Sequence, residues 1–185
     1  MKRVRSERDR FVGFVLESVE NIDPRHHYRG HARFLDDHTI QVENKIFEAK
    51  SVVIATGSSP KLMPMFDGLG ERLVVNDDIF DWETLPESVA VFGPGVIGLE
   101  LGQALHRLGV RIRIFGLSGS LKPISDMGIR NYAENIFKAE FPLDTKAKIL
   151  GLKLEIDQVK IRFVDCKNGE EKDCLLYTSP SPRDS

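Results

Sequence analysis

Apolar residues near the start of the chain recur at close to helical spacing. Val4, Phe11, Val12, Val15 and Val19 are separated by charged positions. This pattern predicts an amphipathic helix that stops before Asp23-Pro24, because the residue preceding a proline is pushed out of helical geometry. The period then changes. Residues 32–35, 39–43 and 46–49 are short alternating segments, punctuated by Asp36-Asp37-His38 and Asn44-Lys45. They predict a small β-meander. Ser51 to Ala55 is a β-branched run that predicts a buried strand, entering the sharp turn Thr56-Gly57-Ser58-Ser59-Pro60.

Residues 61–87 carry Pro64, Gly68, Gly70 and Pro86 and predict a loop, with a boundary between two lobes near Leu85-Pro86. A βαβ pattern follows. Residues 89–92 form the first strand. Residues 96–108 form a helix with Leu99, Ala104, Leu105 and Leu108 on its apolar side, ended by Gly109. Residues 110–115 form the second strand. A second helix is predicted over 126–138, capped by Ser125 or Asp126. In 147–165, Val159, Ile161 and Phe163 alternate with Lys160 and Arg162, which predicts a hairpin, and Lys167-Asn168-Gly169 reads as a turn.

The chain has 185 residues, 41% hydrophobic and 29% charged, enough for a folded core in one ordinary domain or two small ones. Lys and Arg number 26 against 28 Asp and Glu, so the basic excess that would argue for a nucleic-acid partner is absent. No apolar run nears the ~18 residues of a membrane span, so no membrane partner is expected. The stretch Phe11 to Leu16, interrupted by Gly13, is too short for a secretory leader. Cys166 and Cys174 cannot make a disulfide scaffold, and Cys166 lacks the setting of a nucleophile. His26, His27 and His31 read as a solvated loop rather than a metal site, and His106 as a packing or surface residue.

Cys174 to Ser185 shows neither period, and Pro180 and Pro182 forbid a regular element. Its residues 174–184 match the translation of a transposase adaptor used in sequencing libraries. The tail is therefore read as non-native, and its deletion is expected to leave stability unchanged.

Gly93-Pro94-Gly95-Val96-Ile97-Gly98 fits the pattern GxGxxG between a strand and a helix. In that context Gly93 allows the tight turn, Gly95 lets backbone N–H groups approach a pyrophosphate, and Gly98 lets helix and strand pack closely. The phosphates would lie on the helix N-terminus. An acid expected at the end of the second strand, to bind the ribose of NAD, is replaced by Gly116. Arg113 and Lys122 are candidate partners for the extra phosphate of NADP. A Glu at position 116 is expected to sharpen the preference for NAD.

The order Val52-Val53-Ile54-Ala55-Thr56-Gly57-Ser58-Ser59-Pro60, Leu85-Pro86, then Val91 to Gly102 resembles the flavin-dependent pyridine nucleotide-disulfide oxidoreductases, over roughly residues 1–173. Within that family the pattern is most similar to the dihydrolipoyl dehydrogenases. Glutathione or mercuric reductase-like enzymes, and a redox-inactive nucleotide-binding fragment, are the alternatives. The resemblance implies an α/β fold: a Rossmann-type βαβ unit preceded by the β-meander and last strand of an FAD-binding domain. It implies FAD contacts over 1–84, a partial NAD(P)-binding domain over 85–173 and a non-native tail over 174–185. Ala55, Thr56, Gly57 and Ser58 resemble the second FAD-contacting turn, and Ala32 the residue whose backbone meets the adenine. Gly93, Pro94, Gly95, Val96, Ile97 and Gly98 resemble the nicotinamide-dinucleotide loop, and Glu100 the carboxylate near the nicotinamide amide. The implied cofactors are FAD and NAD, with NADP open. The implied parent is a cytoplasmic homodimer moving electrons from a lipoamide-type substrate through a disulfide and FAD to NAD. The family's first FAD fingerprint and its Cys-x-x-x-x-Cys pair do not occur in this sequence. The chain is thus expected to be an internal, inactive piece of such an enzyme, holding no FAD by itself.

Overall fold

The computed structural model describes residues 1–176 except Ser118, Ser120, Lys122, Asp157, Cys166 and Lys167. The roles considered for Lys122 and Cys166, the turn at Lys167 and the tail from Tyr177 lie outside the described residues. The chain forms two compact units, one from Arg3 to Pro60, the other from Lys61 onward with Met1–Lys2.

The first unit carries the expected helix, α1 (Lys2–Glu20), with no buried residue. Phe11, Phe14, Val15 and Leu16 are each more than half exposed. The meander is also present. Strands β1 (Ala32–Phe34), β2 (Thr39–Val42) and β3 (Lys45–Glu48) form an antiparallel sheet in that order. Glu43 takes a positive φ of 51° at the β2–β3 turn, and the Tyr28 ring packs on Phe47 at 4.6 Å. The expected strand over residues 51–55 is not formed. That segment is irregular, with Val53 87% and Ile54 71% exposed. A β-branched run becomes a buried strand only where neighbouring strands take its N–H and C=O groups. Among the described residues none pairs with it.

In the second unit, residues 61–87 are irregular as expected apart from short 3₁₀ turns at Pro64–Phe66, Gly70–Arg72 and Asp78–Asp81. They bury Phe66, Leu69 and Trp82 in its cores. Then come β4 (Ser88–Phe92), α2 (Val96–Arg107), β5 (Arg111–Phe115), α3 (Met127–Glu140) and β6 (Leu143–Asp144). The three strands make a parallel sheet ordered β4-β5-β6. Gly109 ends α2 with φ 90°, and Asp126 caps α3 by accepting from the Ile129 N–H at 2.8 Å. Strands β7 (Lys148–Glu155), β8 (Gln158–Val164) and β9 (Glu171–Leu176) form an antiparallel sheet.

β5 shows why this unit has two cores. Its side chains alternate between faces. Ile112 and Ile114 join Leu99, Leu105, Val110 and Leu143 on one side. Phe115 joins Phe163, Ile161 and Val159 on the other. Both faces of the parallel sheet are therefore covered, as such sheets require. The Phe115 ring stacks on Phe92 at 5.4 Å and meets Phe163 of β8 edge-on at 5.2 Å, which fixes the antiparallel β7–β9 sheet to the parallel one.

The tail differs from expectation over its first residues. Cys174, Leu175 and Leu176 complete β9, pairing with Ile161, Lys160 and Val159. Leu176 is only 2% exposed within the second core. Alternation of Cys174 and Leu176 with the outward Leu175 suffices to continue the strand begun by Glu171.

Candidate functional site: a glycine loop at the start of α2

β4 delivers the chain into Gly93, whose φ of 114° only glycine adopts easily. The Gly93 N–H donates to the Phe115 carbonyl at 2.8 Å, which ties the turn to the end of β5. Gly95 is the N-cap of α2, extended at φ −82° and ψ 180°, and offers no side-chain cap. The first N–H groups of α2 have no carbonyl one turn back to bond. They are therefore available to an anion, and the helix dipole favours one there.

The spacing of the glycines has a steric cause. A Cβ on Gly98 would lie 2.1 Å from the Gly93 carbonyl oxygen and 3.3 Å from Val91 Cγ1. A Cβ on Gly102 would lie 2.8 Å from Ile114 Cδ1. Gly98 and Gly102 thus let α2 lie directly against the turn and β5. At Gly95 the space is open, with nothing within 4 Å of a Cβ. That openness is what a ligand's phosphates need. The structure brings Gly93, Pro94, Gly95, Val96, Ile97 and Gly98 into one turn, with Pro94 buried and Val96 and Ile97 exposed. Glu100 is exposed on the next turn of α2. In the other unit, Ala32 lies exposed on β1, and Ala55, Thr56, Gly57 and Ser58 are exposed in the irregular segment, Gly57 with φ 73°.

Gly116 differs from its expected role as a vacated acid position. It is buried, its N–H donates to the Asp144 carbonyl at 2.6 Å, and its carbonyl accepts from Ala147 N–H at 2.7 Å. A Cβ there would meet Pro94 Cγ at 2.7 Å and the Thr145 carbonyl oxygen at 2.8 Å. A Glu cannot enter without displacing backbone, so it cannot sharpen cofactor choice in the way expected from sequence. Arg113 is also committed elsewhere. Its guanidinium pairs with Asp144 at 2.6 Å and lies 4.4 Å from the Phe163 ring centre.

Sequence reasoning missed the polar links that brace this corner. Thr145 Oγ1 donates to Glu134 at 2.9 Å, and Lys138 pairs with the same carboxylate. Burial raises the Glu134 carboxyl, but the Lys138 and Thr145 hydrogen bonds and the Lys138 and Lys146 charges outweigh it, leaving the group below its ordinary value. The i, i+4 spacing of Glu134 and Lys138 was the available signal. Burial pushes the Cys174 thiol up despite Arg113 and Arg111, and a protonated thiol is a poor nucleophile. Among the described residues, no group of three His, Cys, Asp or Glu could hold a metal ion. No helix among them is long and apolar enough to cross a membrane.

A glycine turn between a parallel strand and its crossover helix, with an open N-terminus, defines a dinucleotide-binding α/β protein. Residues 7–177 match the family described as pyridine nucleotide-disulphide oxidoreductase, and the chain belongs to that family. It is 33% identical over 109 residues to dihydrolipoyl dehydrogenase of Bacillus subtilis, covering 58% of this chain and 23% of that protein. It is 24% identical over 175 residues to mitochondrial dihydrolipoyl dehydrogenase 1 of Arabidopsis thaliana, covering 90% of this chain and 34% of that one. A mercuric reductase of Staphylococcus aureus is 38% identical over 94 residues, covering 50% of this chain and 17% of the reductase. Among solved structures, a copper(II) complex of the HOCl-induced flavoprotein disulfide reductase RclA from Escherichia coli superposes with a TM-score of 0.64 at 17% identity. That match covers 80% of this chain and 33% of RclA and shows the shared fold. The chain spans about a third or less of the length of these relatives. Proteins of this family use FAD and NAD(P).

Proposed function

We propose that this chain provides the pyridine nucleotide site, and part of the FAD site, of a flavin-dependent disulfide reductase of the dihydrolipoyl dehydrogenase type. The observation that carries the reading is the turn from Gly93 to Gly98, open at Gly95 and closed at Gly98. The residues fit a dinucleotide. The N–H groups at the start of α2 hold the pyrophosphate, and Gly93 and Gly98 keep the turn tight enough to present them. Glu100, one turn along, orients the nicotinamide amide. A bound nicotinamide supplies or accepts hydride; this chain's residues bind and position it.

The finer reading extends the same proposal. Ala32, Ala55, Thr56, Gly57 and Ser58 contact FAD within residues 1–84, and residues 85–173 serve NAD(P). The whole enzyme is a cytoplasmic homodimer that takes electrons from dihydrolipoamide. The names of the relatives support this reading over glutathione reductase. The mercuric reductase match keeps that substrate class as the second reading.

Gly95→Asp tests the site. Asp is a good N-cap and has room at this position, so the fold should hold. Its carboxylate would sit where the phosphates bind. Saturable enhancement of NAD(P)H fluorescence by the full chain should disappear in this variant with unfolding unchanged. Undiminished binding by folded Gly95→Asp would contradict the proposed site.

A further inference from the structure

The end of β5 and the glycine turn meet at Gly116. This residue has no positive φ that would by itself call for glycine. What it lacks is room. A Cβ there would stand 2.7 Å from Pro94 Cγ, 2.9 Å from Pro94 Cδ and 2.8 Å from the Thr145 carbonyl oxygen. The Thr145 side is held in place. Gly116 N–H donates to the Asp144 carbonyl at 2.6 Å, the Gly116 carbonyl accepts from Ala147 N–H at 2.7 Å, and Thr145 Oγ1 donates to Glu134 at 2.9 Å. Asp144 is in turn paired with Arg113 at 2.6 Å. The Pro94 side is where the turn begins. A proline ring cannot swing aside, because it closes on its own backbone nitrogen, so a displaced ring is a displaced Gly93–Pro94 peptide. Gly95, the N-cap, follows directly, and the first bond inside α2 runs from Leu99 N–H to the Gly95 carbonyl at 2.9 Å. The N–H groups ahead of Leu99 are the ones that can meet an anion.

We propose that Gly116 is a positioning residue for dinucleotide binding: its bare Cα seats the Pro94 ring, and the seated ring sets where the N–H groups at the start of α2 point. The inference rests on the dinucleotide reading above and adds a residue of the neighbouring strand to that site. Carbon atoms pack at about 3.5 Å or more, so a Cβ 2.7 Å from Pro94 Cγ demands a shift of about 0.8 Å. Binding groups must be held within about 0.5 Å of their working positions. The turn is the part that yields, because the space at Gly95 is open, whereas the 144–147 stretch is bonded to β5 and braced by Glu134.

The test is a double-mutant cycle on the full chain: parent, Gly116→Ala, Pro94→Ala and the double variant, each titrated with NADH and with NADPH by nicotinamide fluorescence. Urea unfolding of each variant ensures that affinity is read on folded protein. Gly116→Ala should weaken binding about tenfold, the scale of one charge-assisted hydrogen bond pulled out of line. Pro94→Ala removes Cγ and Cδ and so vacates the seat; it should weaken binding several-fold because the turn is no longer held against β5. In that background Gly116→Ala should cost less than about threefold, since only the Thr145 carbonyl still opposes the new Cβ. A residue that merely supports the fold would lower the urea midpoint without this rescue of affinity. Equal costs of Gly116→Ala with and without Pro94, or undiminished binding by folded Gly116→Ala, would overturn the inference and leave the dinucleotide site standing. Pro94→Ala inserts no atom and decides the matter even where Gly116→Ala does not fold: binding as tight as the parent's would show that the seated ring does not set the turn. A parent that binds neither nucleotide would overturn the dinucleotide reading itself, and this inference with it.

Discussion

Gly98→Ala asks whether the close approach of α2 to the turn is as tight as the geometry shows. Two effects oppose each other. Alanine in a helix is favoured over glycine by about 1 kcal/mol. Against that, the new Cβ would stand 2.1 Å from the Gly93 carbonyl oxygen, and the obstacle is backbone, which cannot rotate away. Overpacking costs about 1–3 kcal/mol, and a backbone collision belongs at the upper end. A net loss of about 2 kcal/mol is expected. Gly13→Ala in α1 is the contrast, since nothing lies within 4 Å of its Cβ and only the propensity gain remains. Trp82, the single tryptophan, is buried in the core that includes Leu99 of α2, so its fluorescence reports the second unit. Urea unfolding followed by Trp82 should show a lower midpoint for Gly98→Ala at unchanged slope. Far-UV circular dichroism should show Gly13→Ala at least as helical as the parent. A Gly98→Ala midpoint equal to or above the parent's would mean that helix and turn are not in contact.

Other consequences can be measured directly. Truncation after Asp173 should be less stable than truncation after Leu176 by at least about 2 kcal/mol, because Leu176 is buried in the second core; equal stabilities would place Leu176 outside that core. The depressed Glu134 carboxyl contributes stability that is fully present above its ordinary titration range and is lost as pH falls through its folded value. The stability difference between the parent and Glu134→Gln should therefore shrink on acidification from neutral pH. A difference that stays constant down to pH ~3 would contradict the Lys138 and Thr145 contacts.

Much of this fold was legible because its periods are strong. α1, the meander, β4, α2 and β5 follow from spacing, and Asp126 announced the start of α3. β6 was not legible: it is a two-residue strand fixed by pairing of Leu143 and Asp144 with Ile114 and Phe115. Residues 51–55 failed in the opposite direction, since their local preference finds no pairing strand among the described residues. At the site, the glycine turn was readable because each glycine has a stated geometric task. Gly116 was misread as an acid lost, when it is a contact required by Pro94 and the Thr145 carbonyl. The proline between the two glycines was the signal, but only three dimensions connect it to a residue on the next strand.

The central claim is that the turn from Gly93 to Gly98 holds the pyrophosphate of a dinucleotide. Amide-resolved NMR of the ¹⁵N-labelled chain, titrated with NADPH, tests it most directly. The account predicts saturable shifts concentrated at Gly93, Gly95, Val96, Ile97 and Gly98, weaker ones near Gly116 and Gly119, and none on the face of α3 away from the site. Shifts absent from the Gly93–Gly98 amides, with binding observed elsewhere or nowhere, would contradict it.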